Sequence, residues 1–123
     1  MPGQLTGQLT THVLDTVHGG PAANVAIELW QVPPSGDKTL LKLVHTNADG
    51  RTDAPLLAAD ELQAGVYELV FAIGAYFDRS MPSLPTPRFL DRVPIQFGIA
   101  NPEAHYHVPL LVSPWSYSTY RGS

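Results

Sequence analysis

Apolar and polar residues alternate with a period of two along most of this chain. Val25, Ile27 and Leu29 share one face of an extended segment, and the same alternation runs through 67–73 and 92–99. A period of two is typical of a strand that buries one face. Strands are therefore predicted at 9–16, 25–30, 40–46, 67–73, 92–99, 105–112 and 113–120.

Turn-forming sequences separate these segments and leave no room for a long helix. They are rich in Gly, Pro, Asn and Asp, which turns favour, and lie at 18–21, 33–37, 47–50 and 81–87. One short helix is predicted at 58–64, where Gly65 would terminate it. The whole pattern predicts an all-β sandwich of about seven or eight strands with one short helix.

Chain length and composition fit a single folded domain. The chain has 123 residues, of which 44% are apolar, and a chain of this length can bury one sizeable core. One domain is expected over 1–123, with residues 1–7 as a loose N-terminal extension. The core must hold by packing alone, because the chain contains no cysteine and therefore no disulfide.

Charge and hydropathy narrow the class of partner. The net charge is −4 with only 7 Lys and Arg residues, which gives no basic stripe for a nucleic acid backbone. No apolar run approaches the roughly 20 residues of a membrane span, and the N-terminal segment lacks the features of a signal peptide. We therefore expect no nucleic acid partner, no membrane association and a cytoplasmic location, and the lack of cysteine is compatible with a reducing compartment.

The segment 113–120 predicts association between copies of the chain. It contains no Lys, Arg, Asp or Glu, and its one proline lies near its start. Exposed strand edges normally carry such residues, because they prevent pairing with another strand. The simplest cover is the same strand of a second copy in a two-fold dimer. The alternative is a monomer in which a loop lies against this edge.

Strand alternation places histidines on the side of the sheet that faces away from the core. His12 lies on the outward face of its strand, and His105 and His107 lie on the outward face of theirs. On the last strand, Ser118 and Tyr120 share a polar face that can line a cleft. A histidine on a strand is more often a surface or structural residue than a catalytic one, so this pattern alone leaves both interpretations open.

Four stretches of the sequence resemble one protein family. They are Leu-Thr-Thr-His-Val-Leu-Asp at 9–15, Gly-Gly-Pro-Ala-Ala-Asn-Val at 19–25, Asp-Gly-Arg at 49–51 and Tyr-Arg-Gly-Ser at 120–123. In this order they resemble the 5-hydroxyisourate hydrolases, the transthyretin-related enzymes of urate breakdown. The resemblance implies a transthyretin-like two-sheet β-sandwich and a homotetramer built as a dimer of dimers. It also implies metal-independent hydrolysis of 5-hydroxyisourate without a cofactor.

The same resemblance implies the residues of an active site. The expected catalytic residues are His12, Arg51, His107 and Ser123. The expected substrate-binding residues are Ser118, Tyr120, Arg121 and Gly122. In this scheme the two histidines activate water and deliver a proton, while Arg51 holds the substrate and the developing oxyanion. Which histidine is the base stays open, and Arg121 is either a surface charge or a clamp for an anionic substrate.

Two other classes of protein stay open. Transthyretin is a hormone carrier of the same architecture, but it has other residue types at the positions of His12, Arg51 and His107. Binding of a small aromatic ligand or hormone without catalysis is therefore the alternative function, and a purely structural sandwich is the third. The chain also departs from the family pattern at Trp115-Ser116, where many members have Tyr-Gly, and this change bears on an interface or on the width of the channel.

The remaining histidines support weaker hypotheses. His105 shares the strand face of His107, and it either supports the site or lies on the solvent or interface surface. His18 lies in a turn and His45 near the end of a strand, so both are expected to be surface residues. His12, His45 and His107 have the side chain that zinc accepts, but they show no local ligand spacing, so no metal is expected.

Overall fold

The computed structural model describes residues 7–122, and Ser123 and residues 1–6 of the expected N-terminal extension lie outside the described residues. Within that range the chain forms nine strands, one 3₁₀ turn at Ala59–Glu61 and one α-helix, α1, at Ile73–Ser80. The strands are β1 (Gln8–Asp15), β2 (Gly20–Pro21), β3 (Ala26–Val32), β4 (Thr39–His45), β5 (Leu57–Ala58), β6 (Gly65–Ala72), β7 (Arg92–Ile99), β8 (His105–Val112) and β9 (Tyr117–Thr119).

The strands form two sheets. In the first sheet the order is β2, β1, β8, β9, and β5 also pairs with β1. In the second sheet the order is β4, β3, β6, β7. β1 and β8 run parallel, whereas the other strand pairs are antiparallel. The prediction of a two-sheet β-sandwich with one short helix is confirmed.

Alternate residues of the strands fill the space between the two sheets. Along β1, Leu9, Thr11, Val13 and Asp15 are buried, and the residues between them are partly exposed. β8 shows the predicted alternation except at Pro109, which is buried as well. The core is built from side chains of both sheets and includes Leu9, Val13, Ile27, Leu29, Leu69, Phe71 and Leu110. The predicted inward and outward faces of β1 and, apart from Pro109, of β8 are therefore confirmed.

The short helix does not lie where the sequence predicted it. At 58–64 the chain forms only the turn Ala59–Glu61, because it pairs with β1 just before that turn and then takes a positive φ of 51° at Ala59. α1 instead begins at Ile73, where the alternation predicted the end of a strand. Ile73 and Phe77 are four positions apart on one helical face, and both are buried in the core. No helix in the described part of the chain is long and apolar enough to cross a membrane.

Asp15 ties the end of β1 to α1. Its buried carboxylate accepts hydrogen bonds from the Tyr76 hydroxyl at 2.7 Å, from His18 Nδ1 at 2.6 Å and from the N–H groups of Val17 and His18. Burial by itself raises the pKa of Asp15, but these bonds outweigh it and leave that pKa below its usual value. Burial and the neighbouring carboxylate raise the pKa of Tyr76 to about 12. The strand that carries His12 is thus fixed at its end.

Candidate active site

The outward face of the first sheet carries the two histidines singled out by the sequence. The parallel pairing of β1 with β8 puts Thr10 opposite His107 and His12 opposite Pro109. His12 and His107 are therefore diagonal neighbours on adjacent strands, and both are partly exposed. The arrangement results from alternation along each strand combined with the register between them.

The loop 46–56 lies along the other edge of β1 and carries Arg51. The Val13 N–H donates to the Gly50 carbonyl at 2.8 Å, and the Leu56 N–H donates to the carbonyl of Leu9 at 2.8 Å. Gly50 has a φ of 75°, and a Cβ there would collide with the Val13 carbonyl oxygen. Only glycine satisfies both constraints, so steric reasons explain why glycine stands between Asp49 and Arg51.

Asn47 organises the turn that presents Arg51. Its side-chain oxygen accepts bonds from the N–H groups of Asp49 at 2.9 Å and Arg51 at 3.2 Å, and its side-chain nitrogen donates to Asp53 at 3.1 Å. The Asn47 N–H donates to the Arg51 carbonyl at 2.7 Å, and the Gly50 N–H donates to the Asn47 carbonyl at 2.9 Å. Within residues 7–122 the Arg51 guanidinium has no hydrogen-bond or ion-pair partner, so its donors are available to a ligand.

Arg51 and His107 line the same cleft, which has a volume of about 470 Å³. Its other walls are mainly polar and come from Gln8, Thr10, Thr11, Thr52, Asp53, Ala54 and Pro55. The volume lies within the range of small-molecule sites in proteins. The polar walls and the guanidinium favour a small ligand that is rich in hydrogen-bond acceptors.

His12 is not one of the residues that line this cleft, although it lies on the same face of the sheet. Its Nε2 is 2.8 Å from the backbone oxygen of Asp49. A carbonyl oxygen only accepts hydrogen bonds, so Nε2 carries a proton and donates it to this bond. The nitrogen that remains for proton transfer is Nδ1. The loop that presents Arg51 therefore also fixes the ring of His12.

His107 is mostly neutral at pH 7. Burial is the largest cause that lowers its pKa below the usual value, and the charges of Arg51 and then His12 act in the same direction. Its Nδ1 lies 2.9 Å from the hydroxyl oxygen of Thr10. No residue within 7–122 forms a hydrogen bond with its Nε2. A neutral imidazole with one free nitrogen can accept a proton from water.

The tail runs along β8 and reaches His107. The Thr119 hydroxyl donates to the Pro109 carbonyl at 2.7 Å, and the Gly122 N–H donates to the His107 carbonyl at 2.7 Å. A Cβ at Gly122 would lie 2.6 Å from Cδ2 of the His107 ring. The tail can therefore come this close only with glycine at 122. Ser123, predicted to be catalytic, follows directly but lies outside the described residues.

Three other predicted tail residues do not line the cleft. The guanidinium of Arg121 lies 4.1 Å from the ring centroid of Tyr106 and donates to the His105 carbonyl at 3.1 Å. Arg121 and Tyr120 line a second cavity of about 340 Å³ between β7 and the tail. Ser118 is exposed in β9. The structure thus brings together His12, Arg51, His107 and Gly122 but keeps Ser118, Tyr120 and Arg121 apart from them.

The other histidines lie outside the cleft. His18 forms a hydrogen bond with Asp15, and His45 and His105 are exposed on β4 and β8. Across residues 7–122 no group of three or more His, Cys, Asp or Glu residues is arranged to hold a metal ion. Sequence reasoning missed Thr10, which lines the cleft. The signal was present, because Thr10 lies two positions before His12 and so shares its strand face.

The fold and the cleft define a transthyretin-like β-sandwich with imidazole and guanidinium groups on the outer face of one sheet. Residues 9–122 match the HIUase/Transthyretin family, and the chain belongs to that family. It is 57% identical over 117 residues to a 5-hydroxyisourate hydrolase of Ralstonia nicotianae, covering 95% of this chain and 99% of the relative. It is 60% identical over 117 residues to a 5-hydroxyisourate hydrolase of Mesorhizobium japonicum, covering 95% and 93%.

Solved structures agree with this placement. The chain matches a crystal structure of (S)-allantoin synthase with a TM-score of 0.91 and 46% identity, covering 98% of this chain but only 45% of that longer one. It matches a 5-hydroxyisourate hydrolase of Klebsiella pneumoniae with a TM-score of 0.78 and 37% identity, covering 95% and 99%. It matches sea bream transthyretin in complex with thyroxine with a TM-score of 0.82 and 33% identity, covering 94% of each chain. The predicted transthyretin-like fold is confirmed.

The close approach of the tail to His107 predicts the effect of one added methyl group. In Gly122→Ala the new Cβ must displace either the tail or the His107 ring, so we expect a changed chemical shift for the Cδ2–H group of His107 in a two-dimensional NMR spectrum. Gly98→Ala is the matched control, because no atom lies within 4 Å of a Cβ added at that position. Identical His107 signals in Gly122→Ala and the parent protein would contradict this placement of the tail.

Proposed function

We propose that this protein hydrolyses 5-hydroxyisourate to 2-oxo-4-hydroxy-4-carboxy-5-ureidoimidazoline, a step of urate breakdown. The observation that carries the proposal is the cleft lined by the mostly neutral ring of His107 and by the Arg51 guanidinium, which has no partner among residues 7–122. Curated relatives at 57% and 60% identity over nearly the whole chain bear the name of this activity. The substrate is rich in carbonyl groups, which suits a cleft with mainly polar walls.

In the proposed reaction, water adds to the lactam carbonyl of the six-membered ring and the N1–C6 bond breaks. Nε2 of His107 accepts a proton from the attacking water as the new C–O bond forms. Arg51 stabilises the resulting oxyanion through charge-assisted hydrogen bonds. The carbonyl then reforms, the electron pair of the broken bond moves to N1, and N1 receives the proton from His107. One water is added and nothing is oxidised or reduced.

His12 does not line the cleft, but it is the diagonal neighbour of His107 on the same face of the sheet, so in this scheme it shares the activation of water. Its Nε2–H is committed to the backbone oxygen of Asp49, which leaves Nδ1 to accept a hydrogen bond from the second hydrogen of the attacking water. Two imidazoles then hold the water from different sides, and His107 takes the proton. This assignment of the base is supported by the lowered pKa of His107 and by its Nε2, which has no hydrogen-bond partner in the described part of the chain.

The tail completes the proposed site. Gly122 lies against His107, and Ser123 is the next residue in the sequence, so we keep Ser123 as a proposed catalytic contact. Ser118 and Tyr120 lie apart from the cleft, so their role as substrate contacts stays a proposal that only the family resemblance supports. Arg121 supports the tail in this scheme through its contact with Tyr106, and it can reach an anionic substrate only by leaving that contact.

Binding of an aromatic hormone without catalysis is the alternative function. One similar solved structure is a transthyretin in complex with thyroxine, which keeps this alternative open. The cleft with mainly polar walls favours hydrolysis instead, because a large aromatic hormone needs apolar walls. Ligand binding without turnover of 5-hydroxyisourate would favour the alternative.

A homotetramer in the cytoplasm is also part of the proposal. β7 and β9 are the last strands of their sheets, and both line the same side of the molecule at the second cavity. Phe89 and Trp115 are 77% and 57% exposed, and large aromatic residues of this kind are enriched in protein interfaces. The family resemblance implies pairing of two chains through such edges and then pairing of two dimers. The lack of cysteine is compatible with the cytoplasm.

Loss of the proposed base should reduce turnover without unfolding the protein. We expect His107→Asn to lower kcat by roughly 100-fold, which is the scale of losing general-base assistance. Decay of freshly prepared 5-hydroxyisourate, followed by ultraviolet absorbance against its spontaneous decay, measures this directly. His45→Asn is the matched control, because it removes an exposed imidazole from the other sheet. A parent protein that leaves the spontaneous rate unchanged would overturn the proposed function, and full activity in His107→Asn would overturn the site.

Two substitutions should distinguish the effect of the positive charge of Arg51 from the effect of its planar arrangement of donors. Arg51→Lys keeps the positive charge, so the pKa of His107 stays low, but kcat falls by about 100-fold because a single ammonium cannot replace the planar donors at the oxyanion. Arg51→Gln removes the charge, so the pKa of His107 rises and the acid limb of the rate profile moves to higher pH. Arg92→Gln removes a distant charge as the control. An acid limb that stays in place in Arg51→Gln would exclude this coupling.

The proposed assembly predicts the mass of the protein in solution. Light scattering after size exclusion should give four times the mass of one chain at micromolar concentration. Dilution should pass through a species of two chains, because edge pairing within a dimer precedes pairing of dimers. A single species with the mass of one chain at all concentrations would contradict the tetramer.

A further inference from the structure

Thr10 is the one side chain that forms a hydrogen bond with the ring of His107 within residues 7–122. Its hydroxyl oxygen lies 2.9 Å from Nδ1, and the two residues are opposite each other in the pairing of β1 with β8. Both line the cleft that contains Arg51. On the opposite side of the ring, Gly122 approaches Cδ2 so closely that no Cβ fits between them. The ring is thus held between a hydroxyl and the tail.

We propose that Thr10 is a positioning residue that accepts a hydrogen bond from Nδ1–H of His107 and leaves Nε2 unprotonated towards the cleft. The nitrogen that an imidazole presents is set by the bond that its other nitrogen makes. The catalytic consequence rests on the proposed function, whereas the choice of tautomer rests on the hydrogen bond with Thr10 and on the donors of Arg51 in the same cleft. Thr10 is not among the active-site residues that the family resemblance implies.

The direction of the hydrogen bond follows from the neighbours of the ring. A hydroxyl can donate or accept, so Thr10 by itself permits either tautomer. Arg51, which lines the same cleft, carries only donors and a positive charge, whereas the carboxylate of Asp53, the other charged residue of the cleft, accepts from the Asn47 side chain. A proton on Nε2 would add another donor to this cleft, whereas a lone pair on Nε2 complements the guanidinium. The tautomer with the proton on Nδ1 is therefore favoured, and Thr10 is its acceptor.

The two histidines consequently present different nitrogens to the site. The Asp49 carbonyl fixes the proton of His12 on Nε2. The Thr10 hydroxyl fixes the proton of His107 on Nδ1. A hydroxyl accepts from both the neutral and the protonated ring, so it can hold His107 in place while a proton moves on and off Nε2.

The proposal predicts the tautomer of His107 in three variants. Long-range ¹H–¹⁵N NMR distinguishes a protonated from an unprotonated ring nitrogen by its ¹⁵N shift. The parent protein and Thr10→Ser should show protonated Nδ1 and unprotonated Nε2 at a pH above the His107 titration. Thr10→Val, which keeps the shape but lacks the hydroxyl, should show a mixture of both tautomers. Thr16→Val is the control, because its hydroxyl joins β1 to the Val112 carbonyl without touching His107.

The kinetic effect should appear in kcat and not in KM. We expect Thr10→Val to lower kcat for 5-hydroxyisourate about 10-fold, the scale of one lost hydrogen bond, while KM changes less than about twofold. Thr10→Ser should restore the rate, and Thr16→Val should leave it unchanged. Loss of the acceptor for the protonated ring should also move the acid limb of the profile to lower pH.

The outcomes separate this proposal from the proposed function. A parent protein without hydrolase activity would overturn the proposed function, yet the NMR result would still decide whether Thr10 sets the tautomer. Protonated Nε2 in the parent protein, or the same ¹⁵N shifts in Thr10→Val as in the parent, would overturn the role of Thr10. Full activity in Thr10→Val would overturn its kinetic part. If Thr10→Val fails to fold, comparison of Thr10→Ala with Thr10→Ser by the same spectra decides the question.

Discussion

The parallel pairing of β1 with β8 is the contact on which the rest of the candidate site depends. It joins segments 97 residues apart in sequence, sets Thr10 opposite His107 and puts His12 on the same face. A shift of one residue in either strand would turn its histidine into the core. The buried side chains Leu9 and Leu110 oppose such a shift, because it would bring them to the surface. Burial of apolar area between the sheets thus determines the positions of polar groups on the outside.

The two outer edges of the β1–β8 pair bind the loop and the tail that carry the remaining residues of the candidate site. The other edge of β1 binds the loop with Arg51, and the other edge of β8 binds the tail with Gly122. At each edge a glycine marks the closest approach, Gly50 against the Val13 carbonyl and Gly122 against the His107 ring. Backbone hydrogen bonds therefore hold the loop and the tail, and within residues 7–122 the Arg51 guanidinium and Nε2 of His107 have no hydrogen-bond partner and are available to a ligand.

Only part of this arrangement could be predicted from the sequence. The outward faces of His12 and His107 follow from a period of two, which is a local property. The opposition of Thr10 and His107 is not local, because alternation does not say which strands are neighbours. The position of the helix was predicted wrongly for a similar reason. Ile73 continues the alternation of the preceding strand, and its spacing from Phe77 covers only one helical turn, which is a weak signal for a helix. Packing of both side chains in the core stabilises the helix there.

Assembly and chemistry are coupled in this scheme through burial. Desolvation is the largest cause that lowers the pKa of His107 in one chain, and in the proposed dimer of dimers a copy packed on this face of the sheet would remove more water from it. In the lower local dielectric the charge of Arg51 acts more strongly on His107. Arg51 forms no ion pair within residues 7–122, although Asp53 lines the same cleft, so the cost of burying it without a paired counter-charge also grows. A developing oxyanion supplies that counter-charge, whereas a neutral lactam carbonyl does not. Assembly would therefore favour the transition state over the bound substrate, which is the condition for a higher kcat.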